Sequence, residues 1–458
     1  MGVEAALPPG FRDFHPEEVR ERQYILETLV QVFELYGYQP IQTASVEFTE
    51  TLLGKYGDEG EKLLFYILDS GDFLNQVPEE DRSDYRRLRK YIAHKALHYD
   101  LTVPLARYVA MNQHRLTLPF KRYQIQSVWR ADRPQRGRFR EFVQCDIDVV
   151  GASSLLYDLE CIKIYQRAFG QLQVPEIQIH LNHRQLLMAL AIHFGVAERF
   201  SAFCTLLDKL DKVPLADLQK DFLELGLEKP AYENLCALYE QMWKCQQNLE
   251  RLHYLASFLC ESEAKNRAIA ELTFLFSHFS PMGILEEMVV FDPFLARGLD
   301  YYTGTIYEVK TKAVPIGSLG GGGRYDRLLE SFGTPSLPCV GISFGLDRIH
   351  VVLKELNRFK GIRHTPCTVL IIHFDENDIP VYLQVRERLI QEGISADLYP
   401  EPKKLKKQLQ YANKLNIPFV LFLGEEERKQ GIYGCKHMET GEQIQGPLET
   451  IIRFIQSR

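Results

Sequence analysis

Five arginines, Arg130, Arg133, Arg136, Arg138 and Arg140, fall within eleven residues of a 458-residue chain. Like charges packed this densely repel one another, so the cluster predicts an anionic partner rather than a decorated surface. Phosphate is the anion that suits it best: each guanidinium stays charged at any relevant pH and offers a planar fork of donors matched to phosphate oxygens. The flanking segments are patterned to carry side chains into a site. In YQIQSVWR, Tyr123, Ile125 and Trp129 alternate with Gln124, Gln126, Val128 and Arg130. In FVQCDIDVV, Val143, Cys145, Ile147 and Val149 alternate with Phe142, Gln144, Asp146 and Asp148. A period of two means strands, and Pro134 and Gly137 between them mark a turn. The expectation is an antiparallel hairpin with a long arginine-rich tip, one face in the core and one polar. Solvent exposure is the commonest cause of such alternation; the arginines argue against it here.

Other routes to phosphate and metal chemistry fail on spacing. GSLGGGGRYD is rich in glycine, but a phosphate loop needs Lys and then Ser or Thr after its last glycine, and Gly323 is followed by Arg324 and Tyr325. The GxGxxG order of dinucleotide-binding folds is missing too. His94 and His98 stand at i, i+4 without the Glu or third ligand of a zinc-protease pattern. The nine cysteines, among them Cys145, Cys161 and Cys435, form no CxxC pair, which predicts reduced and mostly buried thiols.

The elements that must hold these residues read as follows. Residues 17–36 form an amphipathic helix with Leu26, Leu29, Val30 and Phe33 as its stripe and Gly37 as its stop. Residues 186–280 turn helical and rich in Leu, Glu and Lys, as an insertion. Strand signals return in MVVFDPF, in RGLDYYTGTIYEVKT and in the strand-to-helix segment CVGISFGLDRIHVVL. After a break at KGIRHTPC, TVLIIHF, a helix around 380–392, ISADLY, a basic helix around 402–415 and PFVLFLG alternate as βαβαβ, a small domain with a mostly parallel sheet. Lys403, Lys404, Lys406, Lys407 and Lys414 against Leu405, Leu409 and Ala412 make that basic helix a solvated surface element by default. A net charge of −7 excludes indiscriminate nucleic-acid binding, so any polyanion contact must be local. No apolar run reaches ~18 residues, and MGVEAALPPG lacks the features of a secretory signal or a myristoylation site; a cytoplasmic protein without membrane association is expected.

Four segments, in order, resemble the signatures of one family. VWRADRPQRGRFREFVQCDIDVVG is similar to the second class II synthetase motif as histidyl-tRNA synthetases carry it, and RGLDYYTGTIYEV to the motif peculiar to them. HYDLTVPLARYVA resembles their substrate-binding segment and CVGISFGLDRI their third motif. The likeness runs from about Gly10 to the C-terminus and is weakest in the insertion and in residues 70–95. It implies an α+β fold, an antiparallel sheet flanked by helices, with a helical insertion and a C-terminal α/β anticodon-binding domain. The implied boundaries are 1–185 and 281–360 for the catalytic domain, 186–280 for the insertion and 366–458 for the anticodon-binding domain. The first helix and following strand resemble the first motif, which builds a homodimer interface, although Ala44 stands where that motif has proline.

By this resemblance the protein is a histidine–tRNA ligase: it would join L-histidine to ATP as histidyl-adenylate, releasing pyrophosphate, and pass histidine to the 3′ end of tRNA(His). Arg130 would bridge the α-phosphate and the histidine carboxylate, and Arg297 would reach the α-phosphate from the other side. Asp132, Arg138, Phe142 and Arg348 would bind ATP, with Phe142 beneath the adenine and Arg348 near the γ-phosphate, and Mg²⁺ would neutralise the pyrophosphate; no protein ligand for the metal is assigned. Asp100, Leu101, Thr102, Gln144, Asp148, Tyr301 and Tyr302 would bind histidine. Asp100 and Thr102, two apart, would share a strand face and hold the ammonium, and Asp148, where the family often has Glu, would accept an imidazole N–H. Gln135 and Arg136 would meet the acceptor end. The competing readings are a non-catalytic synthetase-like regulatory subunit of histidine biosynthesis, a tRNA-sensing module of a stress kinase and another ATP-dependent ligase.

Overall fold

A computed structural model describes residues 5–53, 62–210, 213–296, 301–362, 365–424 and 429–458. The chain divides into two compact units, one built from the residues up to Arg12 and from Ile25 to Arg358, the other from Asp13–Tyr24 and Phe359–Arg458.

In the first unit the strands are, in chain order, β1 (Gln39–Pro40), β2 (Val46–Phe48), β3 (Phe65–Ile67), β4 (Lys95–Leu97), β5 (Phe120–Trp129), β6 (Glu141–Val150), β7 (Ile177–His183), β8 (Val289–Phe291), β9 (Thr305–Thr311), β10 (Gly320–Arg324) and β11 (Cys339–Gly345). Eight of them form one sheet in the order β1-β5-β6-β11-β10-β9-β7-β8, and β2-β4-β3 form a small second sheet. Pairing in the large sheet is antiparallel except at its two margins, β1 with β5 and β7 with β8. The hairpin expected over 120–150 is its longest ladder, with Arg122 opposite Asp148, Gln124 opposite Asp146 and Gln126 opposite Gln144.

The first helix, Pro16–Leu35, ends where Gly37 takes a φ of +79°. Its buried stripe is Ile25, Leu29, Val32 and Phe33, not Leu26 and Val30 as the spacing predicts. Phe33 settles the rotation by packing on Tyr123 and Phe344 of the sheet, 5.8 and 5.6 Å between ring centroids. Helices follow one another from Arg184–His193 to Glu263–Ser277. Residues 65–97 hold β3, the helix Tyr85–Ile92, capped by the Asp84 side chain on the Arg86 amide (2.8 Å), and β4.

The glycine run is not a loop but β10, in the middle of the sheet. A Cβ at Gly320 would lie 2.6 Å from the Ser343 carbonyl oxygen, and one at Gly341 on β11 would fall on the Asp148 carboxylate. Glycine's missing side chain outweighs its poor strand propensity here, because the neighbouring groups need the space.

In the second unit, β12 (Val369–Ile371), β13 (Ala396–Leu398), β14 (Phe419–Phe422), β15 (Tyr433–His437) and β16 (Gln443–Gly446) form a sheet in the order β13-β12-β14-β15-β16. Its first two pairings are parallel and its last two antiparallel, so the sheet is mixed rather than mostly parallel. The closing hairpin escapes the βαβαβ pattern; its one local signal is the turn at Gly441, φ +75°. Among the described residues no helix is long and apolar enough to cross a membrane.

Candidate active site

The polar face of the β5–β6 hairpin does not meet bulk water. Arg122 is fully buried, and Gln124, Asp146 and Asp148 are exposed by 3% or less. This face forms the floor of a cavity whose walls come from four other segments: the motif around Asp100, the hairpin tip, Tyr301–Tyr302, and the β10–β11 pair with the helix Leu346–Glu355 behind it. Asp100, Thr102, Arg130, Asp132, Arg138, Phe142, Gln144, Asp148, Tyr301, Tyr302 and Arg348 all line it.

Arg130 donates through Nε to the Tyr99 carbonyl (2.9 Å), and its guanidinium lies 5.1 Å from the Phe142 ring centroid. Both contacts fix the fork from behind. Arg348 is held by the Gly137 carbonyl (3.2 Å) and the Ser318 carbonyl (2.7 Å), which ties the hairpin tip to the segment before β10. Two arginines from distant stretches of chain therefore reach one cavity. The rest of the cluster behaves differently from the single anion site its density suggests. Arg138 ion-pairs with Asp132, Arg136 with Glu355, and Arg140 donates to the carbonyls of Asp132 and Pro9. Of the five, only Arg130 and Arg138 line the cavity; Gln135 and Arg136 stand exposed at the tip, where Gln135 and Arg138 exchange backbone hydrogen bonds.

Asp100 and Thr102 are not on a strand. Thr102 opens the helix Thr102–Asn112, and Asp100 accepts from the Val103 amide (3.3 Å), meeting a helix-start donor that a carboxylate serves well. Leu101 is fully buried outside the cavity lining, its carbonyl accepting from Arg122 Nη2 (3.4 Å). The rings of Tyr301 and Tyr302 lie 4.5 Å apart, tilted at 49°, with hydroxyls 3.3 Å apart. Arg297, expected on the α-phosphate, lies outside the described residues.

Residues that sequence reasoning passed over complete the floor. Arg122 pairs with Asp148 (2.6 Å), and the Tyr325 hydroxyl donates to the other oxygen of Asp148. Pairing of this kind is invisible until strand register is known. Asp146, between Gln144 and Asp148 on the same face, hydrogen-bonds with Ser343, whose Oγ accepts from Gln144 Nε2 (3.0 Å). Burial pushes the Asp146 carboxyl up to about 7, against the pull of Arg122 and with help from the charge on Asp148. Burial raises Asp148 as well. Asp347, at the start of the third segment's helix, accepts from Arg12 (2.8 Å) and from the Val143 amide (3.2 Å), fastening β6 at its entry to the cavity. His94 and His98 flank β4 instead of sharing a helix face. His94 meets Asp69 at 2.5 Å, while His98 lies between the carbonyls of Ala44 (3.1 Å) and Ser127 (2.8 Å).

With this geometry the comparisons agree. A family model described as histidyl-tRNA synthetase matches residues 10–349, and one described as an anticodon binding domain matches residues 367–458. The histidine–tRNA ligase of Christiangramia forsetii is 43% identical over 446 residues, 97% of each chain. The crystal structure of histidyl-tRNA synthetase from Nostoc sp. PCC 7120 is similar over 100% of both chains, with a TM-score of 0.83 at 29% identity. A protein described as an ATP phosphoribosyltransferase regulatory subunit/histidyl-tRNA synthetase, from Bacillus halodurans, shares the fold at 21% identity and a TM-score of 0.71, over 92% of this chain and 99% of its own. The match of one family model to most of the chain, and of a curated relative along nearly all of it, places the chain in the histidyl-tRNA synthetase family.

Proposed function

We propose that the protein is a histidine–tRNA ligase that works in two steps. An oxygen of the histidine carboxylate attacks the α-phosphorus of ATP, the bond to the β-phosphate oxygen breaks, and histidyl-adenylate and pyrophosphate form. A ribose hydroxyl at the 3′ end of tRNA(His) then attacks the carbonyl carbon, and AMP leaves. The observation that carries this reading is the meeting of Arg130 and Arg348 in one cavity with Asp100, Gln144 and the tyrosine pair.

The first step brings two anions together, so positioning and charge stabilisation are the main work. Arg130, held from behind, bridges the carboxylate and the α-phosphate, and Arg297 approaches the same phosphate. Arg348 meets the γ-phosphate and the adenine, Phe142 stacks beneath the ring, and Asp132 and Arg138 add contacts. Mg²⁺ arrives with ATP as counter-ion to its phosphates. Histidine lies against Asp100, Leu101, Thr102, Gln144, Asp148, Tyr301 and Tyr302, with the ammonium toward Asp100 and Thr102. Gln135 and Arg136 at the exposed tip meet the acceptor end of the tRNA. Residues 186–280 grip the acceptor stem and 366–458 read the anticodon, while 1–185 with 281–360 form the catalytic domain. The protein works as a cytoplasmic homodimer.

Pyrophosphate exchange into ATP, measured with each of the twenty amino acids, tests the reading. Exchange should depend on histidine. A folded, magnesium-replete protein that exchanged with none would be a binding protein of the regulatory type, and preference for another amino acid would refute the specificity.

A further inference from the structure

The cavity floor carries three carboxyl or amide side chains in a row, the partly buried Gln144 and the buried Asp146 and Asp148, and they differ in what they have left to give. Asp148 is engaged inside the fold: one oxygen takes the Tyr325 hydroxyl, and the other, though outside hydrogen-bond geometry, is ion-paired with Arg122 at 2.6 Å. It is also walled in by Gly341, where even a Cβ would collide with it. Asp146 is 97% buried, engages Ser343 and has no hydrogen-bond partner for Oδ1 and no ion-pair partner among the described residues; Gln144 Oε1 is likewise without a partner among them. Buried acceptors left unpaired in a cavity wall cost stability unless a ligand supplies donors. Two such acceptors, one of them a carboxyl group, in the cavity that the paired Tyr301 and Tyr302 rings also line, match a ligand with N–H donors on an aromatic ring.

Resting on the histidine-activating reading above, we propose that Asp146, and not Asp148, is the carboxylate that accepts the imidazole N–H of histidine. The pair Asp148–Arg122 is then a support. It neutralises one of the aspartates that line the cavity and ties β5 to β6, with Asp100 toward the ammonium and Asp146 toward the ring. Selectivity follows: an analogue without the ring N–H would leave Asp146 buried and unpaired, a stronger rejection than shape alone gives.

The experiment compares wild type with Asp146→Asn and Asp148→Asn in histidine-dependent pyrophosphate exchange. Asp146→Asn should raise the KM for histidine by about 10- to 100-fold, the loss of a charge-assisted bond, with the KM for ATP preserved and the melting temperature no lower than that of wild type. Inhibition by imidazole-lactate, which has the ring but no ammonium, should weaken by a similar factor. Asp148→Asn should show itself in a lowered melting temperature, because Arg122 is left buried without its partner charge. An unchanged histidine KM in Asp146→Asn overturns the proposal, as does imidazole-lactate inhibition that stays at the wild-type level, which would put Asp146 on the ammonium. So does a selective histidine defect in an Asp148→Asn protein of normal stability when Asp146→Asn has none. Failure of the wild type itself to exchange with histidine overturns the underlying reading and this assignment with it.

Discussion

The two main sheets bury opposite kinds of surface. Around β6 the large sheet hides Arg122, Gln124, Asp146 and Asp148, and of these Asp146 and Asp148 line a cavity. The sheet of the second unit is apolar on both faces: Val369, Ile371 and Leu421 belong to one core cluster and Leu370 and Val420 to another. Apolar burial stabilises by about 25 cal/mol per Å² wherever it occurs. Polar burial stabilises only where partners are in place, and among the described residues Gln144 Oε1 and Asp146 Oδ1 on the floor of the large sheet have none. A sheet of the first kind can hold a ligand in its interior; one of the second kind has only its surface to offer. The surface of the second unit includes the basic helix Leu405–Lys414, whose inner side is Ala412 and Gln408, the latter bonded to the His373 backbone and the Lys403 carbonyl.

Substitutions should therefore separate chemistry from macromolecular recognition. The largest effect belongs to the arginines: Arg130→Ala, and likewise Arg297→Ala, should lower kcat/KM for pyrophosphate exchange by about 10²- to 10³-fold, the scale of one lost charge-stabilising donor, with the oligomeric mass unchanged. An Arg297→Ala protein of full activity would remove that residue from the site. Lys406→Glu combined with Lys407→Glu should act on the other side of the contrast, raising the KM for tRNA about 10-fold and making it less dependent on salt, while exchange stays at the wild-type rate. Loss of exchange in that variant would mean that the second sheet's surface is not separable from the chemistry.

How far the sequence reveals this contrast depends on the residue. The hairpin of β5 and β6 is legible from alternation alone, and the third segment's strand-to-helix order from its pattern. Alternation cannot say whether a polar face meets solvent or a cavity, since both give the same period; the arginine cluster points to the answer for a reason that holds only in part, as Arg136, Arg138 and Arg140 have partners within the chain. Asp146 shares the face of Gln144 and Asp148 and lines the cavity, but alternation does not single it out, and the family resemblance points to its neighbour Asp148. Arg122 had no signal at all, because its partner is set by register. Asp100 and Thr102 read as strand by spacing, but an Asp three residues before a free amide starts a helix. β10 defied its composition because the groups packed around it leave no room for side chains.

The smallest effects sharpen the contrast inside the large unit, where a carboxyl of the site and one of the scaffold titrate in opposite directions. Burial raises Asp146 from 3.8 to about 7. Although burial works against it, hydrogen bonds from His183 (2.8 Å) and Arg267 (2.8 Å) hold Glu271 down from 4.5 to about 2. Between roughly pH 4 and 7 the folded protein keeps a proton on Asp146 that the unfolded chain has released, so its stability falls as pH rises through that window. Glu271 has the reverse sign. Its contribution is complete above about pH 4.5 and fades as pH falls toward 2, and solvent around this partly exposed group limits it to the order of 1 kcal/mol. Thermal melts without ligands should then show Asp146→Asn gaining on wild type from pH 5 to pH 8. Glu271→Gln should lag at pH 6 and close the gap by pH 3. Parallel curves for the two variants would mean that the polar floor is as well satisfied as the scaffold, and the physical distinction between a site and a core in this sheet would be lost.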